Sequence, residues 1–320
     1  MTHDIDVLCI GDLDVDMFIS VPALPGFDQK VGGRSHGNMP GGMSANCAVA
    51  AARLGLRSRL VAAMGSDEPG AFALSRIARE GVDVDHVVRR AGVDTFMCVV
   101  LLSPSGEKSL IRLETEAYLP RPEDLTAPAF DGVRHVHFTF GDPTLAFAAA
   151  AMARPRGISI SLDLEPPDIA RNPDRLSQIL SMVDTLFLNY EAYAAAAAVL
   201  AAPLSPSMLR QEGEIIVTLG KDGCRRISAE GTIDGPGFPV VPVDTTGAGD
   251  CFAAAYLAAT FTGKTPRDRL EFANAAAALA TRECGAQTAM PRRGDVEAFI
   301  AERRAATVDA GVPVNGVIHA

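Results

Sequence analysis

The sequence contains no tryptophan among its 320 residues and no run of basic residues. Lysine and arginine total 29 against 39 acidic residues, so the net charge at pH 7 is −10. A protein that holds a nucleic-acid backbone needs clustered lysines and arginines, which argues against nucleic acid as a partner. Small anionic ligands remain possible, because backbone N–H groups at a helix N-terminus bind phosphate whatever the net charge.

The sequence also lacks a long uncharged apolar run and paired cysteines. Its longest apolar stretch, 253–263, contains Tyr256, Thr260 and Thr262 and is shorter than the roughly 20 residues that a membrane span needs. The N-terminus has neither the basic nor the apolar segment of a signal peptide. The six cysteines include no CxxC pair, which is typical of reduced thiols and not of a disulfide framework or a zinc site. We therefore expect a cytoplasmic protein with no membrane partner.

What the sequence does contain is a regular alternation of apolar strands and alanine-rich helices. Hydrophobic residues make up 48% of the chain, which is ample for a large core. Such alternation is typical of a parallel sheet covered by helices on both faces. The predicted strands lie at 6–10, 59–63, 133–139, 158–162, 185–188 and 214–218, and the predicted helices include 44–54, 69–80 and 295–305.

Two hairpins interrupt this alternation. Residues 95–102 and 109–113 flank the turn-forming sequence Ser103-Pro104-Ser105-Gly106, which predicts an antiparallel hairpin. Together with residues from 18–34, this hairpin predicts a small accessory sheet. A second hairpin is predicted within 224–234.

The segment 243–257 runs a glycine-rich turn straight into an apolar helix that starts near Asp250. Free N–H groups of Gly247, Ala248 and Gly249 can converge on an anion, helped by the positive end of the helix dipole. A carboxylate in such a site makes sense if Asp250 faces a hydroxyl that attacks the phosphorus held by those groups. The alternative is that Asp250 is an ordinary N-cap or first-turn residue.

A second glycine turn precedes the helix at 44–54. Gly41 and Gly42 let the backbone approach a ligand closely, and Asn46 offers both a donor and an acceptor to a sugar hydroxyl. The alternative is a helix N-terminus with ordinary turn glycines.

Other motifs do not match. Phe252 occupies the last glycine position of a GxGxxG fingerprint, and Ala258 the first glycine of a Walker A loop. His135 and His137 alternate along one strand without a third ligand, which favours core histidines over a metal site.

Taken together, Gly41-Gly42-x-x-x-Asn46 and Asp244-Thr245-Thr246-Gly247-Ala248-Gly249-Asp250 resemble the two signatures of ribokinase-like sugar kinases, the PfkB carbohydrate-kinase family. The resemblance extends to about Ile300. It implies a single three-layer α/β/α domain over residues 1–320, with a mostly parallel central sheet and a β lid from about 17–37 and 94–117. It also implies ATP-dependent phosphorylation of a hydroxymethyl group on a sugar or sugar-like small molecule, with ATP and Mg²⁺ as cofactors.

The resemblance assigns roles to individual residues. Asp250 would be the catalytic base, and Gly247, Ala248 and Gly249 the anion hole. The further roles it implies are sugar binding by Asp14, Asp16, Gly41, Gly42 and Asn46, nucleotide binding by Asn189, Thr218, Gly220, Gly223 and Asn274, and binding of a monovalent cation such as K⁺ by Asp244, Thr246, Ala280, Glu283 and Gly285. A homodimer through the β lid is a further expectation.

Three positions depart from the family pattern. Ala192 stands where the family has the glutamate that supports hydrated Mg²⁺, which leaves the neighbouring Glu191 as a candidate for that role. Met43 replaces a lysine common in ribokinases, so we do not predict a ribokinase. Ala289 replaces a serine that is a cation ligand in ribokinase.

The identity of the substrate is open at this point. Arg112, on the second strand of the lid hairpin, and Arg34 suggest a carboxylate, sulfonate or phosphate on the acceptor, unless both arginines are solvated lid surface. A nucleoside kinase of the same family would need an aromatic clamp, for which Phe18, Phe27 and Phe96 are candidates. The third alternative, a non-catalytic ligand-sensing relative, should have lost the base at Asp250. The helix start should also lower the pKa of Asp250.

Overall fold

The computed structural model describes residues 3–104, 108–139 and 142–309. The tip of the first predicted hairpin, Ser105 and Gly106, lies outside the described residues, as do the two ends of the predicted domain. No helix in the described part of the chain is long and apolar enough to cross a membrane.

An eight-stranded sheet forms the centre of the described chain. Its strands, numbered in chain order with those of the smaller sheets below, are β1 (Val7–Ile10), β4 (Ser58–Val61), β9 (His135–Thr139), β10 (Ser159–Leu164), β11 (Thr185–Asn189), β12 (Glu214–Thr218), β13 (Gly223–Ser228) and β14 (Gly231–Pro236). Their spatial order is β14-β13-β12-β11-β10-β9-β1-β4. Neighbours from β12 to β4 pair in parallel, and β13 pairs antiparallel with both β12 and β14. The predicted mostly parallel sheet and the second hairpin are confirmed.

Helices cover both faces of this sheet. They are α1 (Met43–Arg53), α2 (Glu68–Arg79), α3 (Pro143–Ala153), α4 (Pro166–Arg171), α5 (Leu176–Leu180), α6 (Tyr190–Leu200), α7 (Ala248–Phe261), α8 (Pro266–Ala280) and α9 (Arg293–Asp309). One buried apolar cluster joins the sheet to α1, α2, α7, α8 and α9, and a second joins it to α3, α4, α5 and α6. The molecule therefore has the three layers that the sequence predicts.

The alanine-rich helices α1 and α7 are buried along almost their whole length and contact each other. Small side chains allow this close approach, since the helix backbones can come near each other without large groups between them. Each helix follows a glycine with a positive φ, +95° at Gly42 and +75° at Gly247. These turns bring the two helix N-termini to the same side of the sheet.

A four-stranded sheet forms the lid, in the order β3-β2-β7-β8. Its strands are β2 (Asp14–Ser20), β3 (Arg34–Gly41), β7 (Met97–Leu102) and β8 (Lys108–Leu113), and a separate pair consists of β5 (Ala63–Gly65) and β6 (Val88–Arg90). The predicted β7–β8 hairpin is antiparallel as expected. Strand β2 starts at Asp14 and strand β3 ends at Gly41, beyond the expected limits of 17 and 37 for this part of the lid, because these two residues pair with each other. The lid sheet therefore carries sugar-site candidates itself.

Candidate active site

Two cavities meet at the N-terminus of α7. The first, of about 560 Å³, lies beneath the lid, and the second, of about 650 Å³, lies on the side of β13 and α8. Thr218, Thr245, Gly249 and Phe252 line both cavities. Two ligands bound in these cavities would therefore meet at the start of α7.

The first turn of α7 is open to this junction. Gly247 occupies the N-cap position, and no side chain caps the helix. A Cβ at Gly249 would meet nothing within 4 Å, so the backbone there is unobstructed. The N–H groups of Gly249 and Asp250 have no partner within the helix and make this junction a suitable place for a phosphoryl group. The N–H of Ala248 donates to the carbonyl of Thr245 at 3.3 Å.

Asp250 lies in this first turn, lines the first cavity and is only 6% exposed. Its Oδ2 accepts a hydrogen bond of 2.9 Å from Asn46 Nδ2. Burial raises the pKa of Asp250 well above its usual range, and Asp163, Asp12 and Glu165 add to the effect against the Asn46 hydrogen bond. The expectation of a lowered pKa was wrong, because burial among carboxylates outweighs the helix N-terminus. The structure also excludes the N-cap role, since Gly247 holds that position.

Most of the sugar-site candidates line the first cavity, namely Asp14, Asp16, Gly42, Asn46 and Arg112. Gly41 lies behind them, and a Cβ there would lie 2.2 Å from Asp14 Oδ1 and 2.6 Å from Asp16 Oδ2. The missing side chain of Gly41 thus makes room for both carboxyl groups.

Asp14 Oδ1 is buried without a hydrogen-bond partner among the described residues. Burial raises the pKa of Asp14 well above its usual range, with Asp16 as a further cause, and burial raises that of Asp16 to about 7. A polyol that donates hydroxyl hydrogens would satisfy these oxygens.

Three further carboxyl residues line the first cavity and were not singled out from the sequence: Asp12, Asp163 and Glu165. Asp12 Oδ1 accepts from Ser44 N at 3.0 Å and so fixes the start of α1. Burial raises the pKa of Asp163 to about 7. Asp12 and Glu165 follow β1 and β10 and Asp163 lies near the end of β10, at the sheet edge where ligands bind in open α/β folds, and this position is the signal that could have identified them.

Arg112 enters the same cavity from β8. Its guanidinium lies over the ring of Phe96 at 5.3 Å and over that of Tyr118 at 4.8 Å. Its ion pair with the exposed Glu114 is long, at 4.0 Å. Of the other lid residues considered from the sequence, Phe96 lines the cavity, whereas Phe18 is buried, and Phe27 and Arg34 are exposed outside it.

The nucleotide candidates divide between the cavities. Gly220, Gly223 and Asn274 line the second, Thr218 lines both, and Asn189 lines the first. Asn274 Nδ2 donates to the carbonyls of Gly235 and Pro236 at 3.0 and 3.1 Å, so it also anchors the end of β14.

The side chain of Asn189 accepts from Ala192 N at 2.8 Å and caps α6. Glu191, in the first turn of α6, is exposed and does not line either cavity.

Three of the five cation candidates, Asp244, Thr246 and Gly285, are joined by hydrogen bonds next to the α7 turn. Asp244 Oδ1 accepts from Thr246 N and Oγ1 at 3.0 and 2.7 Å, and Oδ2 accepts from Gly285 N at 2.9 Å. Burial opposes ionisation of Asp244, but these hydrogen bonds lower its pKa. Ala280 ends α8, and the exposed Glu283 lies in the turn that follows.

Lys108 was not singled out from the sequence. Its Nζ reaches from the lid strand β8 to Thr246 Oγ1 at 2.5 Å and to Asp244 Oδ1 at 3.4 Å. The lid is thereby connected directly to the loop that precedes α7.

Residues 4–293 match the pfkB family carbohydrate kinases, which is most of the chain. The chain belongs to this family. The match confirms that the protein is a carbohydrate kinase.

Individual relatives extend over nearly the same length. An ATP-dependent ribose-1-phosphate kinase from Halopiger xanaduensis is 30% identical over 307 residues, covering 93% of this chain and 98% of its own. A nucleoside kinase from Methanothermobacter thermautotrophicus is 27% identical, covering 94% and 98%. An E. coli structure described as a ribokinase II in complex with ATP and Mg²⁺ superposes with a TM-score of 0.82 at 25% identity, covering 93% and 99%.

Proposed function

We propose that this carbohydrate kinase transfers the γ-phosphoryl group of ATP to a hydroxymethyl group of a sugar or sugar derivative. The observation that carries the proposal is the position of Asp250, a buried carboxyl group at the point where the two cavities meet. The acceptor would bind in the first cavity under the lid, and the nucleotide in the second.

In this mechanism Asp250 orients the acceptor hydroxyl and takes its proton. A raised pKa makes a carboxylate a stronger base, since a catalytic base works best with a pKa near the working pH. The backbone N–H groups of the α7 turn stabilise negative charge on the transferred phosphoryl oxygens. Phosphoryl transfer requires mainly positioning and charge stabilisation, and this arrangement supplies both.

The second cavity suits a nucleotide. Its wall includes the apolar side chains of Phe238, Pro239 and Val240, against which a base can pack, and its floor includes Gly220, where a Cβ would meet nothing within 4 Å. Asp163, Glu165 and Asn189 offer oxygen ligands or partners for hydrated Mg²⁺, which usually keeps several waters. The metal would neutralise charge on the nucleotide phosphates.

Arg112 is our candidate for recognising an anionic substituent on the acceptor. Among the described residues that line the first cavity, Arg112 has the one cationic side chain, and six residues with carboxyl groups line the same cavity. A sugar phosphate would fit only with its phosphate on the guanidinium, because the carboxylates repel it elsewhere. The Halopiger relative, named for ribose 1-phosphate, supports this choice.

Replacing Arg112 tests this assignment. Arg112→Ala should raise KM for a sugar phosphate by about tenfold or more, the usual cost of losing a charge-assisted hydrogen bond. It should change KM for a neutral sugar much less. The assignment fails if neutral pentoses or hexoses are the best substrates and Arg112→Ala leaves their KM unchanged.

A nucleoside is the second candidate acceptor. Phe96 and Tyr118 line the first cavity with ring centroids 4.6 Å apart, and a nucleoside kinase is among the relatives. Arg112 lies over both rings, however, and competes with a base for stacking. This favours the sugar derivative.

We also propose activation by K⁺ at the cation candidates. The support is that Asp244 holds Thr246 and Gly285 together immediately behind the anion hole. Turnover in K⁺ should exceed turnover in a large organic cation at matched ionic strength, and equal rates would contradict this proposal.

We propose that the kinase dimerises through the outer face of the lid sheet. This face, opposite the cavity, carries the half-buried or exposed apolar residues Met17, Ile19, Met97, Val99, Leu101, Ile111 and Leu113. Exposed apolar patches of this kind commonly mark interfaces. Ile111→Glu should convert a dimer to a monomer in sedimentation equilibrium, and a monomeric native protein would contradict the proposal.

A coupled ATPase assay with a panel of acceptors tests the proposed function. We expect ADP production that depends on an acceptor, fastest with a phosphorylated or otherwise anionic sugar. Preference for nucleosides would support the second candidate. The absence of turnover with the whole panel would favour a ligand-sensing relative.

A further inference from the structure

Three buried side chains form a hydrogen-bonded row that ends on the catalytic base. Gln287 Nε2 donates to Asn46 Oδ1 at 2.9 Å, and Asn46 Nδ2 donates to Asp250 Oδ2 at 2.9 Å. Gln287, Asn46 and Asp250 are 6%, 4% and 6% exposed. Gln287 comes from the segment between α8 and α9 and does not line either cavity.

The two ends of an asparagine amide are not equivalent. Only the NH₂ end can donate to a carboxylate, whereas the oxygen end would face Asp250 with lone pairs against lone pairs. A donor on the far side of Asn46 selects between the two orientations, and Gln287 supplies that donor. We propose that Gln287 is a positioning residue, which orients the Asn46 amide so that its NH₂ group holds Oδ2 of the catalytic base.

Helix α1 fixes two of the three members of this row, Asn46 and Gln287. Asn46 and Arg53 lie seven residues apart on α1, two turns along one face. Arg53 donates to the carbonyls of Gln287 and Met290 at 2.6 and 2.8 Å, and it is held by two hydrogen bonds to Glu80. The same helix thus anchors the backbone of Gln287 and receives its side chain.

The inference rests on the proposed role of Asp250. With Oδ2 held by Asn46, Oδ1 is the oxygen that takes the acceptor's proton. The Asn46 hydrogen bond also favours the charged carboxylate, against burial and against the carboxyl groups that face it. Those groups are Asp12 after β1, Asp14 on β2, Asp163 on β10 and Glu165 after β10, with Cys251 beside it on α7. Losing the correct orientation of Asn46 would therefore raise the pKa of Asp250 further and leave a smaller fraction of it ionised at neutral pH.

The test is the pH dependence of kcat and kcat/KM in two variants. In Gln287→Glu an acceptor replaces the donor, the Asn46 amide turns its NH₂ group toward residue 287, and the acid limb should move to higher pH by about one unit. In Gln287→Met the donor is removed without a new charge, and kcat should fall by about tenfold with KM for the acceptor within about threefold. Gln178→Glu, an exposed position on α5, is the matched control and should behave as the native enzyme.

Circular dichroism establishes which variants fold. If Gln287→Glu does not fold, the profile of Gln287→Met decides, because the loss of orientation should also move its acid limb upward. An unmoved acid limb in a folded variant, with activity lost only through a lower melting temperature, would overturn the inference. Absence of kinase activity in the native protein would instead contradict the proposed function.

Discussion

At the scale of single residues, the acceptor site depends on a side chain that is missing. Gly41 faces Asp14 and Asp16 at distances that no Cβ tolerates, so both carboxyl groups occupy space that any other residue would take. The same site leaves Asp14 Oδ1 buried without a partner among the described residues. An unpaired buried carboxyl oxygen costs free energy, so this site should favour an acceptor whose hydroxyl groups donate hydrogen bonds to it.

Gly41→Ala tests this dependence. The added methyl group should displace one or both carboxyl groups and raise KM for the acceptor by about tenfold or more, since a misplacement of about 1 Å has effects of this size. KM for ATP should change little, because neither Gly41 nor the two carboxyl groups that it faces line the second cavity. Gly32→Ala is the control, as a Cβ there meets nothing within 4 Å. Equal effects of the two substitutions on KM would contradict this role for Gly41.

At the scale of elements, the local sequence predicted the bounds of individual strands and helices that have clear apolar runs and flanking glycines. The strand at 214–218 matches β12, and the helix at 44–54 matches α1 within one residue, because apolar runs and flanking glycines mark their limits. The pair β5–β6 was missed, since three-residue strands carry no recognisable alternation.

Residue patterns alone predicted the candidate site where its residues are adjacent in sequence, as in the two glycine turns, whereas Asp14, Asn189 and Asn274 were predicted from the family resemblance. Gln287 and Lys108 reach the site from separate elements, and no local pattern marks them. Their contacts exist only because the sheet order and the lid bring those elements together.

In the lid, the contacts of one lysine join a whole strand to the loop before α7. Lys108 connects β8 to Thr246 and Asp244, so Lys108→Ala should favour an open lid. A partly exposed pair contributes up to about 1 kcal/mol, which corresponds to a rise of up to about fivefold in KM for the acceptor. The melting temperature should change little. Lys30→Ala, an exposed lysine elsewhere in the lid, is the control. An unchanged KM in Lys108→Ala would show that this contact does not hold the lid.

At the scale of the whole molecule, the buried carboxyl groups set the pH dependence of stability. Burial raises the pKa values of Asp16, Asp163 and Asp168 to about 7, whereas unfolded aspartates titrate near 3.8. Between these values the folded state binds more protons, so the free energy of unfolding falls as the pH rises from about 4 to 7. His135 acts in the opposite direction, because burial lowers its pKa to about 3 from 6.5 and the unfolded state then binds more protons as the pH falls.

Three carboxyl groups outweigh one imidazole over this range. The ligand-free enzyme should therefore have a higher melting temperature at pH 5.5 than at pH 7.5, by about 1.5 °C for each kcal/mol of difference in the free energy of unfolding. The double substitution Asp16→Asn and Asp163→Asn should reduce this difference, because a neutral amide does not titrate. Differential scanning calorimetry of both proteins at the two pH values measures it. A melting temperature that rises with pH in the native enzyme would contradict this balance of charges.

The central claim is that Asp250 is the catalytic base, and kcat of Asp250→Asn measured together with its melting temperature tests it most directly. Asparagine keeps the size of the side chain but cannot take the proton, so kcat should fall by about two to four powers of ten, with KM for ATP nearly unchanged. The melting temperature should stay the same or rise, because the substitution removes a buried carboxyl group whose ionisation is disfavoured. Asp131→Asn, at an exposed position, is the matched control. A melting temperature that falls while kcat stays within about tenfold of the native value, far short of the loss of a base, would show that Asp250 is structural.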